Sequence, residues 1–257
     1  MARMVAGAQS VHRVIRLLRA LAAQGKGGAR LVDLAEETGL ERPTVHRLLA
    51  GLVAEGMAAR ETVSRRYRLG PLAYELGLAA TPPLDLRRLC EPTLLRIAER
   101  SSDTVFLTVP SGLDTICLDR KEGSFPIKTL TVDIGTRRPM GVGAGGLALL
   151  MTLPLEEAER TIALLAPRIA QYARLDAKTA IAMLKRAHKL GYALNDRQLT
   201  PGAMSISLAV KNGQGQAVAA VSVGAIQARM APDRQKMLAA ILKEEVAQIE
   251  ARLKSLA

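Results

Sequence analysis

Apolar residues recur through the first quarter of the chain at the spacing of amphipathic helices. Val11, Val14, Ile15, Leu18, Leu21 and Ala22 follow i, i+3, i+4, i+7 intervals, with Arg13, Arg16 and Arg19 opposite, which predicts a first helix with one buried stripe. Gly25, Gly27 and Gly28 end it in a loop. A short second helix fits Leu31 to Thr38, with Leu31, Leu34 and Ala35 inward and Gly39 as a left-handed stop. Pro43 suits the first turn of a third helix, where a missing N–H costs little. In that helix Val45, Leu48, Leu49 and Leu52 form the buried stripe, so Pro43, His46, Arg47 and Ala50 face outward. After Gly56, Met57–Glu61 and Arg65–Leu69 predict two strands around a turn at Thr62–Ser64, with Tyr67 and Leu69 on one face and Arg66 and Arg68 on the other.

Pro71, Pro82 and Pro83 flank a short helical stretch, Leu72 to Leu78, that reads as a linker. An amphipathic segment follows from Leu84 to Arg100. Thr104–Pro110, Asp114–Arg120 and Ile127–Val132 have strand composition. Helices are expected near Ala144–Leu153, Leu155–Ala166 and Lys178–Leu190, the last stopped by Gly191. Met204–Val210 and Gln216–Val223 are expected as strands joined at Asn212-Gly213, before a long closing helix, Arg234–Leu256. Strands in antiparallel neighbours with helices grouped between them predict an α+β chain, divided as residues 8–70, a linker at 71–83, and 84–257.

Charge separates the two halves. The first 70 residues hold 12 of the 36 Lys and Arg but only 6 of the 24 Asp and Glu, so about a quarter of the chain carries half of the +12 net charge. A polyanion-facing surface is expected there. Aromatic residues are 2% of the chain, with no Trp, which argues against modules that stack single-stranded bases on aromatic rings. Cys90 and Cys117 are too few for a disulfide framework or a multi-cysteine zinc site, and no metal or cofactor is expected. The opening MARMVAGAQS lacks the apolar centre of a signal peptide, and the longest apolar run, Gly141–Leu153, is too short to span a bilayer. A cytoplasmic protein without membrane attachment is the expectation.

Two helices around a glycine turn, the second with a polar outward N-terminal half, read as a helix-turn-helix, and the hairpin after it reads as a basic wing. Arg42, Arg65 and Arg66 are then expected to hold phosphates. Pro43, Thr44, His46 and Arg47 would lie nearest the bases of double-stranded DNA. Gly141, Gly143 and Gly146 satisfy a G-x-G-x-x-G pattern. A dinucleotide site is rejected by context, since Arg137-Arg138-Pro139 precedes it where a hydrophobic strand is needed and Pro154 ends the helix early. A glycine-rich start to a helix can still hold a carboxylate on free N–H groups, or pack closely on a sheet. No catalytic signature is present, and a Cys117–His188 nucleophile pair has no support, so the chain is not expected to be an enzyme.

The stretches SVHRVIRLLRAL, LVDLAEETGLERPTVHRLLAGLVAEGMAAR and RRYRLGPLAYELG resemble the winged helix-turn-helix of the IclR family of bacterial transcription regulators, most distinctively in TVHRLL and YRLG. IGTRRPMGVGAGGLALL, GYALNDRQLTPGAMSISLAV and QAVAAVSVG resemble the same family's effector-binding domain, which has a GAF-like fold. The resemblance implies a regulator that binds a pseudo-palindromic operator as a homodimer or dimer of dimers and senses a small organic acid. It implies effector contacts at the backbone of Ala144 and Gly145, at Ser222, at Ser205 where a relative has cysteine, and at Asn195 where an aspartate occurs. Ile127, Leu130 and Ala203 match apolar walls, and Arg138 stands where leucine is frequent. Losing a carboxylate at Asn195 and gaining a guanidinium at Arg138 both favour an anion. The alternative expectation is an enzyme or sensor domain acting on a small organic acid, with the basic N-terminus serving another partner. A purely structural interaction protein leaves the wing and the glycine-rich segment unexplained.

Overall fold

The computed structural model of the chain describes residues 7–80, 85–196 and 199–256. They form two compact units, Met1–Asp85 and Leu86–Ala257, and the architecture is α+β. Pro82, Pro83 and the expected start of the second domain at Leu84 lie outside the described residues.

In the first unit, α1 (Gln9–Ala23), α2 (Leu31–Thr38) and α3 (Arg42–Ala54) close around Leu17, Leu21, Leu34, Val45 and Leu49. The inward face of α1 differs from the expected one. Leu17, Ala20 and Leu21 are buried, whereas Val11 and Ile15 are 62% and 42% exposed. The apolar cluster takes α1 only from Val14 onward, and its seat on α2 and the wing selects the Leu17–Leu21 side. The backbone N–H of Arg30 donates to Asp33 Oδ2 at 3.0 Å, which fixes the start of α2, and Gly39 ends it with φ 60°.

The wing pairs β1 (Ala58–Arg60) with β2 (Tyr67–Leu69), Ala58 opposite Leu69. Tyr67 also exchanges hydrogen bonds with Ala29, at 2.8 and 2.9 Å, which ties the hairpin to the turn before α2. That close approach needs Gly28: a Cβ there would stand 2.7 Å from Tyr67 O, and its φ is 61°. The helix α4 (Pro71–Ala79) completes the unit.

The second unit is built on a six-stranded sheet in the order β5-β4-β3-β8-β7-β6, every neighbour antiparallel. The strands are β3 (Thr104–Ser111), β4 (Asp114–Lys121), β5 (Arg137–Pro139), β6 (Ala193–Asn195), β7 (Ala203–Lys211) and β8 (Ala217–Ile226). Alternation gives the sheet two unlike faces. Val105, Leu107, Val221, Val223, Ile206 and Val210 form a bulky apolar face. The helices α5 (Leu86–Ser101) and α10 (Pro232–Ser255) pack on the sheet and on each other, held by Arg96 and Arg100 on the buried Glu245 at 2.7 and 3.0 Å. Apart from Phe106, the other face carries small or hydroxyl-bearing residues: Thr108, Ala220, Ser222, Gly224, Ser205 and Ser207. Helix α6 (Gly143–Leu150) lies on this face, followed by α7 (Leu155–Leu164), α8 (Ala166–Ile169) and α9 (Ala177–Leu190) in one apolar cluster with Ala193 and Ala220.

Two expectations are corrected. Ile127–Val132 is not a strand; beside β4 only the short β5 pairs, at Asp114–Ile116. The segment is pinned instead by the Thr129 N–H donating to Thr104 Oγ1 at 3.3 Å and by Lys128 Nζ donating to Gly123 O. The β7–β8 connection is longer than an Asn-Gly turn: Asn212 Oδ1 accepts from the N–H groups of Gln214 and Gln216, and Gly215, with φ 78°, makes the left-handed step. The short β5, β6 and α8 have no periodicity long enough to announce them.

Leu49, fully buried on α3, holds the third helix on its domain. Leu49→Ala should cost about 2–5 kcal/mol. Urea unfolding followed by circular dichroism should show a lowered midpoint; an unchanged midpoint contradicts this packing.

Candidate functional site

On α3 the buried residues Val45, Leu49 and Leu52 leave Arg42, Pro43, His46, Arg47 and Ala50 exposed, with Thr44 half-buried. The expected outward face is therefore free of the domain's own core. Arg65 is exposed at the wing tip, where its φ of 55° places an arginine in a conformation other residues usually avoid. Arg66 is placed otherwise. It is half-buried, and its Nη1 donates to Gly28 O at 2.9 Å, so part of its guanidinium holds the wing to the body of the domain.

A cleft between α2, α3 and the wing is lined by Arg30, Leu31, Val32, His46, Arg60, Ser64, Arg65 and Tyr67. Its lining contains no carboxylate. Arg60 lies over the Tyr67 ring at 5.5 Å. Sequence reasoning missed Arg30 and Arg60. One precedes α2 and the other ends β1, and only the Ala29–Tyr67 pairing brings them to the same cleft as His46.

In the second unit a cavity opens above the small-residue face of the sheet, at the start of α6. Of the expected effector contacts, Arg138, Ala144, Gly145, Asn195, Ala203, Ser205 and Ser222 line it. Ile127 and Leu130 do not; they are 58% and 51% exposed. Without a strand there, the chain turns Thr129 inward and these two outward, and only Thr131 and Val132 reach the cavity. Phe106, Thr108, Thr115, Cys117, Thr136 and Thr200 complete much of the wall and were not foreseen. Phe106 and Thr108 come from β3, Thr115 and Cys117 from β4, and Thr136 and Thr200 from loops, so no single local pattern announces them.

The first turn of α6 runs Gly143, Ala144, Gly145, and its N–H groups have no carbonyl one turn earlier to meet. The same glycines allow close packing. A Cβ on Gly145 would stand 3.1 Å from Thr108 Oγ1, and one on Gly146 would stand 3.1 Å from Gly141 N. Both readings of this segment, a ligand cradle and a helix pressed on a sheet, are thus physically served by one geometry.

Arg137 and Arg138 point to opposite sides of β5 and meet different fates. Arg137 donates to Asp114 Oδ2 at 2.9 Å and to Ser111 Oγ at 2.9 Å. Arg138 turns into the cavity, where Nη2 donates to Thr131 O at 2.7 Å. No Asp or Glu lines the cavity among the described residues, and Arg138 is its only charged side chain. Burial pulls the Arg138 pKa below the usual arginine value, with smaller opposing effects from Tyr172 and Cys117. A desolvated guanidinium whose protein partner is a neutral carbonyl attracts an anion.

Asn195 ends β6 on the opposite edge of the sheet from Arg138, yet both line the same cavity, so the strands curl around it. Arg186 on α9 fixes this end by donating to both carboxylate oxygens of Asp196 at 2.7 Å and to Leu194 O at 3.3 Å, thereby holding both neighbours of Asn195. Ser222 Oγ donates to Ser207 Oγ, which donates to Val221 O, each at 2.9 Å. Burial pushes the Cys117 thiol up to about 11 and the Cys90 thiol up to about 12, so neither is a thiolate at neutral pH. His188 is exposed in the last turn of α9 and is not part of the cavity lining. No group that could hold a metal ion occurs among the described residues, and no described helix is long and apolar enough to cross a membrane.

Comparison with known proteins agrees with this arrangement. Residues 10–62 match the IclR helix-turn-helix domain, and residues 78–251 match the family described as bacterial transcriptional regulator IclR C-terminal. The HTH-type transcriptional regulator KipR of Bacillus subtilis is 26% identical over 231 residues, which cover 89% of this chain and 91% of the relative. An IclR transcriptional regulator from Alicyclobacillus acidocaldarius superposes with a TM-score of 0.74 at 22% identity, covering 97% of this chain and 99% of that one. An IclR homologue from Microbacterium hydrocarbonoxydans, solved in complex with 4-hydroxybenzoate, superposes at 0.69 with 22% identity, covering 95% and 99%. With both domains matched in order, the chain belongs to the IclR family of bacterial transcriptional regulators.

Proposed function

We propose that this regulator couples operator binding by α3 and the wing to the occupancy of the second-unit cavity by a small organic anion. The observation that carries the effector class is Arg138, desolvated and the lone charge lining its cavity among the described residues. The carboxylate would take the free donors of Arg138 and the N–H groups at the first turn of α6. The 4-hydroxybenzoate held by the Microbacterium homologue, itself an aromatic carboxylate, supports an acid as the ligand class.

On the DNA side, Thr44, His46 and Arg47 would lie nearest the bases, with Arg42 and Arg65 on phosphates. Arg30 and Arg60, with Arg65 in the cleft, add to that phosphate-holding set. Arg66 would serve it in part, since one of its donors is committed to Gly28. As a homodimer, the protein would set two copies of α3 in successive major grooves of a pseudo-palindromic operator. An effector shifts operator affinity only by its different affinities for the two states of the protein.

Fluorescence anisotropy with operator and random duplexes separates the DNA roles. Arg47→Ala should weaken operator binding by about 1–3 kcal/mol and random-sequence binding less. Arg60→Ala should weaken both alike and reduce the salt slope by about one. Equal losses for Arg47→Ala on both duplexes would reduce that residue to a phosphate contact. Calorimetry with carboxylates tests the cavity. Charge-assisted hydrogen bonds contribute about 1.5–3 kcal/mol, so Arg138→Leu should weaken an acid by roughly tenfold or more; unchanged affinity sinks its role.

A further inference from the structure

Asp119 is a buried carboxylate that belongs neither to the DNA-side cleft nor to the cavity lining. It owes its position to a bulge. Cys117 pairs with Thr108 and Asp119 with Leu107, so Leu118 has no partner in the register with β3. Residues two apart in a regular strand share a face, and the extra residue separates them here. Cys117 stands with Thr108 on the small-residue face and lines the cavity, whereas Asp119 stands with Leu107 on the face that α5 and α10 cover. The Cys117 thiol donates to Asp119 O at 3.5 Å, which ties the two ends of the bulge together. Cys117 N–H also donates to Thr136 O at 3.0 Å, and Thr136 is itself part of the cavity wall. A displacement of that wall therefore moves the backbone that carries Asp119.

On the far face Asp119 meets the start of α5. Its Oδ1 accepts from the N–H of Arg120 at 2.8 Å, but Oδ2 is buried without a hydrogen-bond partner. Two cations stand near Oδ2 and neither closes on it: Lys121 Nζ at 3.3 Å, which donates to Glu91 at 2.6 Å, and Arg87 Nε at 3.6 Å. Charge-assisted hydrogen bonds of this type run about 2.7–2.9 Å. A buried carboxylate oxygen left unmet is costly, so an arrangement in which Arg87 closes the gap lies within a shift of about one ångström. Lys121 belongs to β4 and moves with Asp119, whereas Arg87 is the second residue of α5. The first unit ends at Asp85, so Arg87 sits where the chain enters the second unit. Resting on the reading that cavity occupancy controls operator binding, we propose that Asp119 is the positioning residue of that coupling. Occupancy shifts the β4 bulge, changes the hold of Asp119 on Arg87, and with it the start of α5. Coupling needs an element with two arrangements that a ligand can bias, and the open and closed Asp119–Arg87 contact supplies them.

The test uses the full chain with acetate, butyrate, benzoate and 4-hydroxybenzoate, the tightest binder being taken forward. Operator affinity is read by fluorescence anisotropy with and without a saturating amount of that acid, and the affinity for the acid itself by calorimetry. In the natural protein the acid should shift operator affinity by about fivefold or more. In Asp119→Asn the shift should fall below about twofold, while affinity for the acid stays within about twofold of the natural value. Arg87→Gln should behave likewise, and because that side chain is 56% exposed it decides the matter if Asp119→Asn does not fold. Hydrogen exchange at the first-turn amides of α5 should respond to the acid in the natural protein and not in Arg87→Gln. A shift of natural size in either variant, or α5 amides that ignore the acid in the natural protein, overturns the role of Asp119 while leaving the cavity reading standing. An acid that binds the natural protein without shifting operator affinity, or no binding by any of the four, overturns the cavity reading and the proposal with it.

Discussion

A guanidinium withdrawn from water needs compensation, and the fold gives Arg138 one carbonyl oxygen. Its neighbour Arg137, one residue away and on the other side of β5, receives a carboxylate and a hydroxyl. The strand thus separates two chemically identical side chains into a structural one and an available one. That separation depends on Arg138 facing the small-residue side of the sheet. There, Ser, Thr, Ala and Gly leave room that leucine or valine would fill. The bulky side of the same strands is committed to α5 and α10. A polar-lined volume exists because most alternate residues of β3, β7 and β8 on this face, Phe106 apart, are small or hydroxylated.

The glycine-rich start of α6 belongs to the same constraint. Gly145 and Gly146 let the helix descend until Thr108 Oγ1 and Gly141 N stand 3.1 Å from where a Cβ would be. The descent brings unsatisfied N–H groups to the cavity wall. Close packing and the proposed anion site would follow from one backbone approach rather than compete as explanations.

The DNA-binding unit was the more legible of the two. Three residue types in α3, apolar at Val45 and Leu49, basic at Arg47 and small at Ala50, have one helical arrangement that buries the first and exposes the others. Periodicity was less informative for α1, where apolar Val11 and Ile15 satisfy the spacing but the core sits against Leu17. In the cavity, Arg138, Ala144, Gly145, Asn195, Ala203, Ser205 and Ser222 were named through the family resemblance, and they line the wall. Thr108, Thr115 and Cys117 were missed because their membership depends on sheet order and on a bulge between β3 and β4. Ile127 and Leu130 failed because strand-like composition alone does not create a strand: their segment joins no sheet, and Thr129 between them is the residue turned inward.

The proposed coupling is that an acid held by Arg138 changes what α3 and the wing do on DNA. The direct measurement is operator affinity with and without a saturating carboxylate effector, in the natural protein and in Arg138→Leu. A shift of about fivefold or more is expected in the natural protein, the usual scale of such coupling, and none in Arg138→Leu at the same acid concentration. An equal shift in both proteins would contradict it.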